Sequence, residues 1–160
     1  MSLDIIFLAD QPHHAKELAR LHDAEWGHLP PRIPVEERAQ LLTDASGRGE
    51  IPTIFIAVDG PMLVGSSALV MQDMSDRPDL SPWLAAVYVR ADRRRQGIAS
   101  KLVARVEQAA AALGVERFYL YTELEEKFYA KRGWNLLERR EYRGVPISVM
   151  AKEMAENLPG

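Results

Sequence analysis

Cysteine is absent from the chain, which removes disulfides, thiolate nucleophiles and Cys-ligated metals together. No apolar run approaches the length of a membrane span, and the first residues lack a basic segment followed by an apolar one. A cytoplasmic protein without membrane attachment is therefore expected. An excess of positive charge is lacking too. The formal net charge is −3, so any basic cluster is a local feature on an acidic background, and nucleic acid is not an expected partner. Neither common nucleotide signature occurs, since the chain has no Gly-x-Gly-x-x-Gly turn and no Gly-x-x-x-x-Gly-Lys-(Ser/Thr) loop. His22, Asp23, Glu25 and His28 come nearest to a metal cluster, but a solvated helix end accounts for them and no metal is expected. With 160 residues, 47% of them hydrophobic, and no repeat or linker, residues 1–160 read as one folded domain.

What the chain does have is concentrated between Trp83 and Gly114. Trp83 to Val89 is an apolar, partly β-branched run of the kind that forms a strand buried on both faces. Arg90, Arg93, Arg94 and Arg95 then break it with charge. From Gly97 onward, Ile98, Leu102, Val103, Val106, Ala109, Ala110 and Leu113 fall at the spacing of one helical face, and Gly114 stands where a glycine ends such a helix. No Ser, Thr, Asp or Asn caps the start, so the first N–H groups need another acceptor. An anion would serve. Gly97 and Ala99 leave the backbone open, and the helix end carries partial positive charge, which together describe a phosphate or pyrophosphate site over Arg94, Arg95, Gln96, Gly97, Ile98, Ala99 and Ser100. A solvated basic loop before an ordinary surface helix is the plainer alternative.

Arg94-x-x-Gly97-x-Ala99 after a buried strand resembles the (Gln/Arg)-x-x-Gly-x-(Gly/Ala) signature of the GNAT superfamily of N-acetyltransferases. Downstream, Phe128-Tyr129-Ala130-Lys131-Arg132-Gly133-Trp134 is similar to that superfamily's Phe-Tyr-x-x-x-Gly-aromatic element, after a short strand at Arg117 to Tyr121. The resemblance implies an α/β GNAT fold, with a mixed, mostly antiparallel sheet, a splayed central strand pair and flanking helices. It implies acetyl-coenzyme A as cosubstrate, with Val87, Tyr88 and Val89 offering backbone groups to the pantetheine arm and one N–H to the thioester oxygen. Tyr129 matches the tyrosine that in many members protonates the departing thiolate. Thr122 departs from the asparagine that many relatives carry there. The acceptor would be a primary amine on a small molecule or peptide, and the protein a monomer or homodimer. A domain that binds acyl-coenzyme A as a sensor without turnover is the competing reading.

The rest of the chain reads as a strand from Leu3 to Leu8 and a helix opened by Asp10 and Pro12 that runs to about Trp26. A second helix runs from Pro34 to about Ser46. Ile54 to Met71 reads as a hairpin about Asp59-Gly60 with a bulge at Gly65, and Leu136 to Lys152 as another about Arg143-Gly144, with Met154 to Gly160 a frayed tail. The first two helices, the loop from Gln72 to Pro82 and the final hairpin are left to wall the acceptor. Trp26, His28, Trp83 and Tyr142 are therefore expected at its pocket, although any one of these rings would serve equally well as core. Glu25, His28, Glu123 and Asp73 are the candidate bases for deprotonating the amine.

Overall fold

A computed structural model describes residues 2–154. The element order is β1 (Leu3–Phe7), α1 (Ala15–Trp26), α2 (Val35–Asp44), β2 (Thr53–Asp59), β3 (Met62–Val70), β4 (Trp83–Val89), α3 (Ile98–Ala112), β5 (Arg117–Thr122), α4 (Glu126–Ala130), β6 (Asn135–Tyr142) and β7 (Val145–Glu153). This is the order expected from the sequence. The strands form one sheet in the order β1-β2-β3-β4-β5-β7-β6, antiparallel throughout except where β4 meets β5.

Local chemistry explains most boundaries. Gly60 at φ 59° closes the β2–β3 turn, and Arg143 and Gly144 at φ 52° and 84° close β6–β7, the pair of left-handed residues that tight hairpins favour. The far end of α3 is a Schellman motif, in which Val115 N–H bonds Ala110 O and Gly114 N–H bonds Ala111 O. Two expectations fail. Asp10 caps nothing, because its carboxylate accepts from Arg48 Nε at 2.7 Å, and two short 3₁₀ turns at Leu8–Asp10 and Pro12–His14 lead into α1 instead. Met154 is not frayed, since its N–H bonds Glu116 O at 2.8 Å; Ala155 to Gly160 lie outside the described residues.

Two layers of helix cover the sheet. On one face α3 buries Val103, Val106 and Ala110 against Phe55, Leu69, Leu84, Phe118 and Leu120, with Trp134 from the segment after α4 closing the end, and Ile98 and Leu102 against Ala57, Val64 and Val89. On the other, α1 sets Ala15 and Leu18 onto Ile54, Ile56, Val58 and Ala68. Each large side chain so buried contributes about 1.5–3 kcal/mol. Beyond α1, the loop from Met71 to Pro82 covers that same face with Met74 and Leu80 over Trp83, Tyr119, Tyr142, Ile147 and Val149.

Candidate active site

The sheet is interrupted where the sequence is richest. β4 and β5 pair at a single position, Trp83 with Tyr119, reinforced by Tyr119 N–H to Pro82 O at 3.1 Å. Past that point they diverge, so the backbone groups of Val87, Tyr88 and Val89 that face β5 have no strand partner among the described residues. On its other edge β4 stays paired to β3, with a bulge: Gly65 stands opposite Val89, Ser66 opposite Tyr88 and Ala68 opposite Ala85, which leaves Ala86 and Val87 facing Ser67 alone. Ala86 takes φ 52° there.

From the diverged end of β4 the chain turns directly into α3, with Arg94 Nε bonded back to Val89 O. Gly97 caps the helix at φ 80°, no side chain caps it, and a Cβ added at Gly97 would meet nothing within 4 Å. The first intrahelical bond at this end is Lys101 N–H to Gly97 O. Among the described residues the amides of Ile98, Ala99 and Ser100 therefore have no acceptor.

The arginines do not act as a group. Arg93 donates to Asp59 at 2.7 Å, Arg90 pairs with Asp92 at 3.5 Å, and Arg94 donates from Nε to Val89 O at 2.9 Å and from Nη2 to Glu25 at 3.3 Å. Arg94 thus folds the turn back onto the end of β4 and ties it to α1. Arg95, exposed and itself at φ 64°, makes no hydrogen bond or ion pair among the described residues. A cation absent from the sequence expectation joins the site: Arg132 donates to Ser100 Oγ from both Nε and Nη2 and to Phe128 O at 2.7 Å, and stacks 3.6 Å from the Phe128 ring centroid. Its position inside the Phe-Tyr-x-x-x-Gly element, one turn after Phe128, was the available signal.

Tyr129 is buried between Phe128 and Trp134, with ring centroids 5.0 and 6.1 Å away. Its hydroxyl has no partner among the described residues, yet it is not a fully enclosed unsatisfied atom. Burial, and secondarily Glu125, push the phenol above its ordinary value, so it stays protonated at neutral pH. Thr122 Oγ1 accepts the Glu125 N–H at 3.0 Å and so helps to start α4.

The acceptor side is partly as expected. Arg143 Nη1 donates to Pro30 O at 2.8 Å, which brings the final hairpin to the connection between α1 and α2. A recess of about 260 Å³ opens beside it, lined by Gln72, Asp73, Met74, Ser75 and Arg143. Asp73 is pushed up to about 7 by desolvation, partly countered by the Arg143 charge, and the Tyr121 phenol is raised by burial and then by Asp73. Trp26 is half-buried at the end of α1, its ring 5.0 Å from His22 and 5.9 Å from Tyr88, while His28 is exposed.

Trp83 and Tyr142 correct the sequence reading. Trp83 is fully buried, its Nε1–H bonded to Leu80 O at 2.8 Å, and no acceptor can touch it. Tyr142 is buried behind the recess, with its hydroxyl held by Ser75 N–H at 3.2 Å. Trp83→Ala is accordingly expected to cost about 3–5 kcal/mol of stability. Chemical denaturation would register it, and a loss below 1 kcal/mol would contradict the core assignment. A second recess, of about 220 Å³ between Phe7, Phe55 and Arg105, lies toward the far end of α3 and involves none of these groups.

A parallel strand pair that opens into a cleft, with an open helix N-terminus at its mouth, defines an α/β protein suited to an extended ligand with an anionic end. The chain belongs to the acetyltransferase (GNAT) family, whose model matches residues 15–134. No curated protein matches it in sequence. Among solved structures it is similar to yncA, a putative acetyltransferase from Salmonella typhimurium with its cofactor acetyl-CoA. That pair has 12% identity, 99% and 97% of the two chains covered and a TM-score of 0.76. An aminoglycoside 6'-N-acetyltransferase complexed with coenzyme A is 19% identical, with 98% and 99% covered and a TM-score of 0.73. One from Enterococcus faecium is 18% identical, with the same coverage and a TM-score of 0.72.

Proposed function

We propose that this protein transfers an acetyl group from acetyl-coenzyme A to a primary amine of a small molecule or peptide. The observation that carries the reading is the separation of β4 from β5 beyond Trp83, followed in the chain by the bare first turn of α3. The residues present fit the cosubstrate. The amides of Ile98, Ala99 and Ser100 lack acceptors among the described residues, Gly97 leaves them uncovered, and Arg95 and Arg132 add positive charge, which together suit a pyrophosphate. Unpaired groups of Val87, Tyr88 and Val89 suit the amides of the pantetheine arm. Solved relatives named with acetyl-CoA or coenzyme A support the same assignment.

Acetyl-coenzyme A supplies an activated acyl carbon, and the chain's own groups handle the charge and the protons. A β4 N–H stabilises the negative charge that develops on the thioester oxygen as the amine nitrogen attacks the carbonyl carbon. The C–S bond breaks, and Tyr129 gives its proton to the departing sulfur. Asp73 takes a proton from the amine. It is the best placed of the four candidate bases, because Glu25 is engaged by Arg94 and Glu123 and His28 are exposed, whereas Asp73 lines a recess beside Tyr121 and titrates near the working pH. The products are an N-acetylated amine and coenzyme A thiol.

Thiol release from acetyl-coenzyme A across a panel of polyamines, aminoglycosides and peptides tests the reading. Amine-dependent release is the expected result. Tight acetyl-coenzyme A binding with no amine turned over would make the protein a binding module. Tyr129→Phe is expected to lower kcat by roughly 10²-fold with coenzyme A affinity unchanged. An unaltered kcat would assign the sulfur its proton from water.

A further inference from the structure

We propose that His22 and Ser66 are positioning residues for acetyl transfer, a hydrogen-bonded chain that fixes the bulge of β4 and thereby aims its backbone N–H at the thioester. The proposal rests on the reading of the β4 cleft given above. Its starting point is Ala86, a residue with a side chain held at φ 52°, a left-handed conformation that L-residues rarely adopt. Such a conformation persists only where the surroundings over-determine it.

Three contacts do so here. The Ala86 carbonyl, displaced from regular pairing by the bulge, accepts from Ser66 Oγ at 2.8 Å. Ser66 is fully buried, and its oxygen lies 2.9 Å from His22 Nε2. The hydroxyl has one proton and gives it to Ala86, so the histidine must donate, which places a proton on His22 Nε2. The third contact is steric. A Cβ at Gly65 would stand 2.6 Å from Tyr88 O, so β3 can follow the bulged strand this closely only with glycine beside Ser66.

The imidazole itself is held by its neighbours. It is buried, with Trp26 at 5.0 Å and Tyr88 at 5.8 Å between ring centroids. Burial and the Arg38 charge keep it neutral, its pKa lowered to about 3, so the single ring proton is the one on Nε2. Tyr88 lies on the same short stretch as the proposed N–H donors, so the histidine grips β4 on both sides of the bulge: at Ala86 through Ser66, and at Tyr88 through its ring. A chain that only satisfied buried polar groups would hold the fold together but would have no bearing on the thioester.

The carbonyl stretch of bound [1-13C]acetyl-coenzyme A separates the two roles without knowledge of the acceptor. In the unmodified protein the band is expected below its position for free acetyl-coenzyme A, because the N–H polarises it. His22→Phe keeps a ring but removes the donor, and is expected to return the band most of the way to the free position with coenzyme A affinity changed less than about threefold. His22→Gln, whose amide can place an N–H near Nε2, is expected to restore the shift. Ser66→Ala provides the same test should the phenylalanine variant not fold. A full shift retained in folded His22→Phe or Ser66→Ala overturns this proposal alone. Absence of acetyl-coenzyme A binding in the unmodified protein overturns it together with the proposed function.

Discussion

Gly97→Leu is expected to weaken coenzyme A binding by roughly 10²-fold or more while the protein remains folded. The loss follows from access. If a bulky side chain at the head of α3 denies the pyrophosphate two charge-assisted N–H contacts, each worth about 1.5–3 kcal/mol, the deficit is at least about 3 kcal/mol. At about 1.4 kcal/mol per factor of ten, that gives the stated change. The fold has little reason to object, because a Cβ at Gly97 meets nothing within 4 Å. What it does incur is the left-handed conformation at φ 80°, about 1–2 kcal/mol for a residue with a side chain. Gly97→Ala carries that same penalty with far less bulk and so serves as the control. Calorimetric titration beside thermal melts decides the matter. Affinity unchanged in a folded leucine variant would remove the anion site from this turn.

The two halves of this molecule differ in how much of them the sequence reveals, and the difference is physical. The run from Trp83 to Gly114 could be read because strand, glycine turn, helix face and Schellman end are all set by near neighbours in the chain. The opening between β4 and β5 came instead from a motif resemblance, since strand divergence leaves no mark on hydrophobic periodicity. The arginine turn shows where local reading stops. Four like charges in six residues looked like one cluster, yet Arg93 is paired with Asp59 and Arg94 with Glu25, partners 34 and 69 positions away. Trp83 and Tyr142 failed as pocket residues for a related reason. An aromatic ring looks the same in a core as at a binding surface, and what buries these two is the Met71 to Pro82 loop, whose Ser75 reaches Tyr142 across 67 positions. His22 was legible in part: the spacing Ala15, Leu18, Ala19 and Leu21 or His22 offered it as one choice for the apolar side of α1, while its neighbours Asp23, Glu25 and His28 suggested a solvated helix end, and its contact with Ser66, 44 residues away, is what gives it a defined proton.

Asp73→Asn carries the other large effect, and it moves activity and stability in opposite directions. The carboxyl is raised to about 7 because its surroundings desolvate it, with Arg143 alone pulling the other way. As the base, Asp73 must be ionised. The rate constant kcat/KM of the native protein should therefore rise with pH through a midpoint near 7 and then level off. In the asparagine variant that limb should vanish and the plateau fall by about 10²–10⁴-fold, the range for loss of a general base. Stability runs the other way. Between the ordinary aspartate value near 3.9 and the folded value, the folded state binds more protons than the unfolded one, so stability falls as pH rises through that window. Asparagine cannot ionise and escapes this loss, so Asp73→Asn should melt higher than the native protein at pH 8, with the advantage shrinking toward pH 4. A structural carboxylate held in place by Arg143 would give the reverse, a variant less stable at pH 8. Melting curves at the two pH values, read beside the rate profile, therefore decide the assignment: a variant destabilised at pH 8, or one that keeps the acid limb of the native profile, would return the proton to water or to another group.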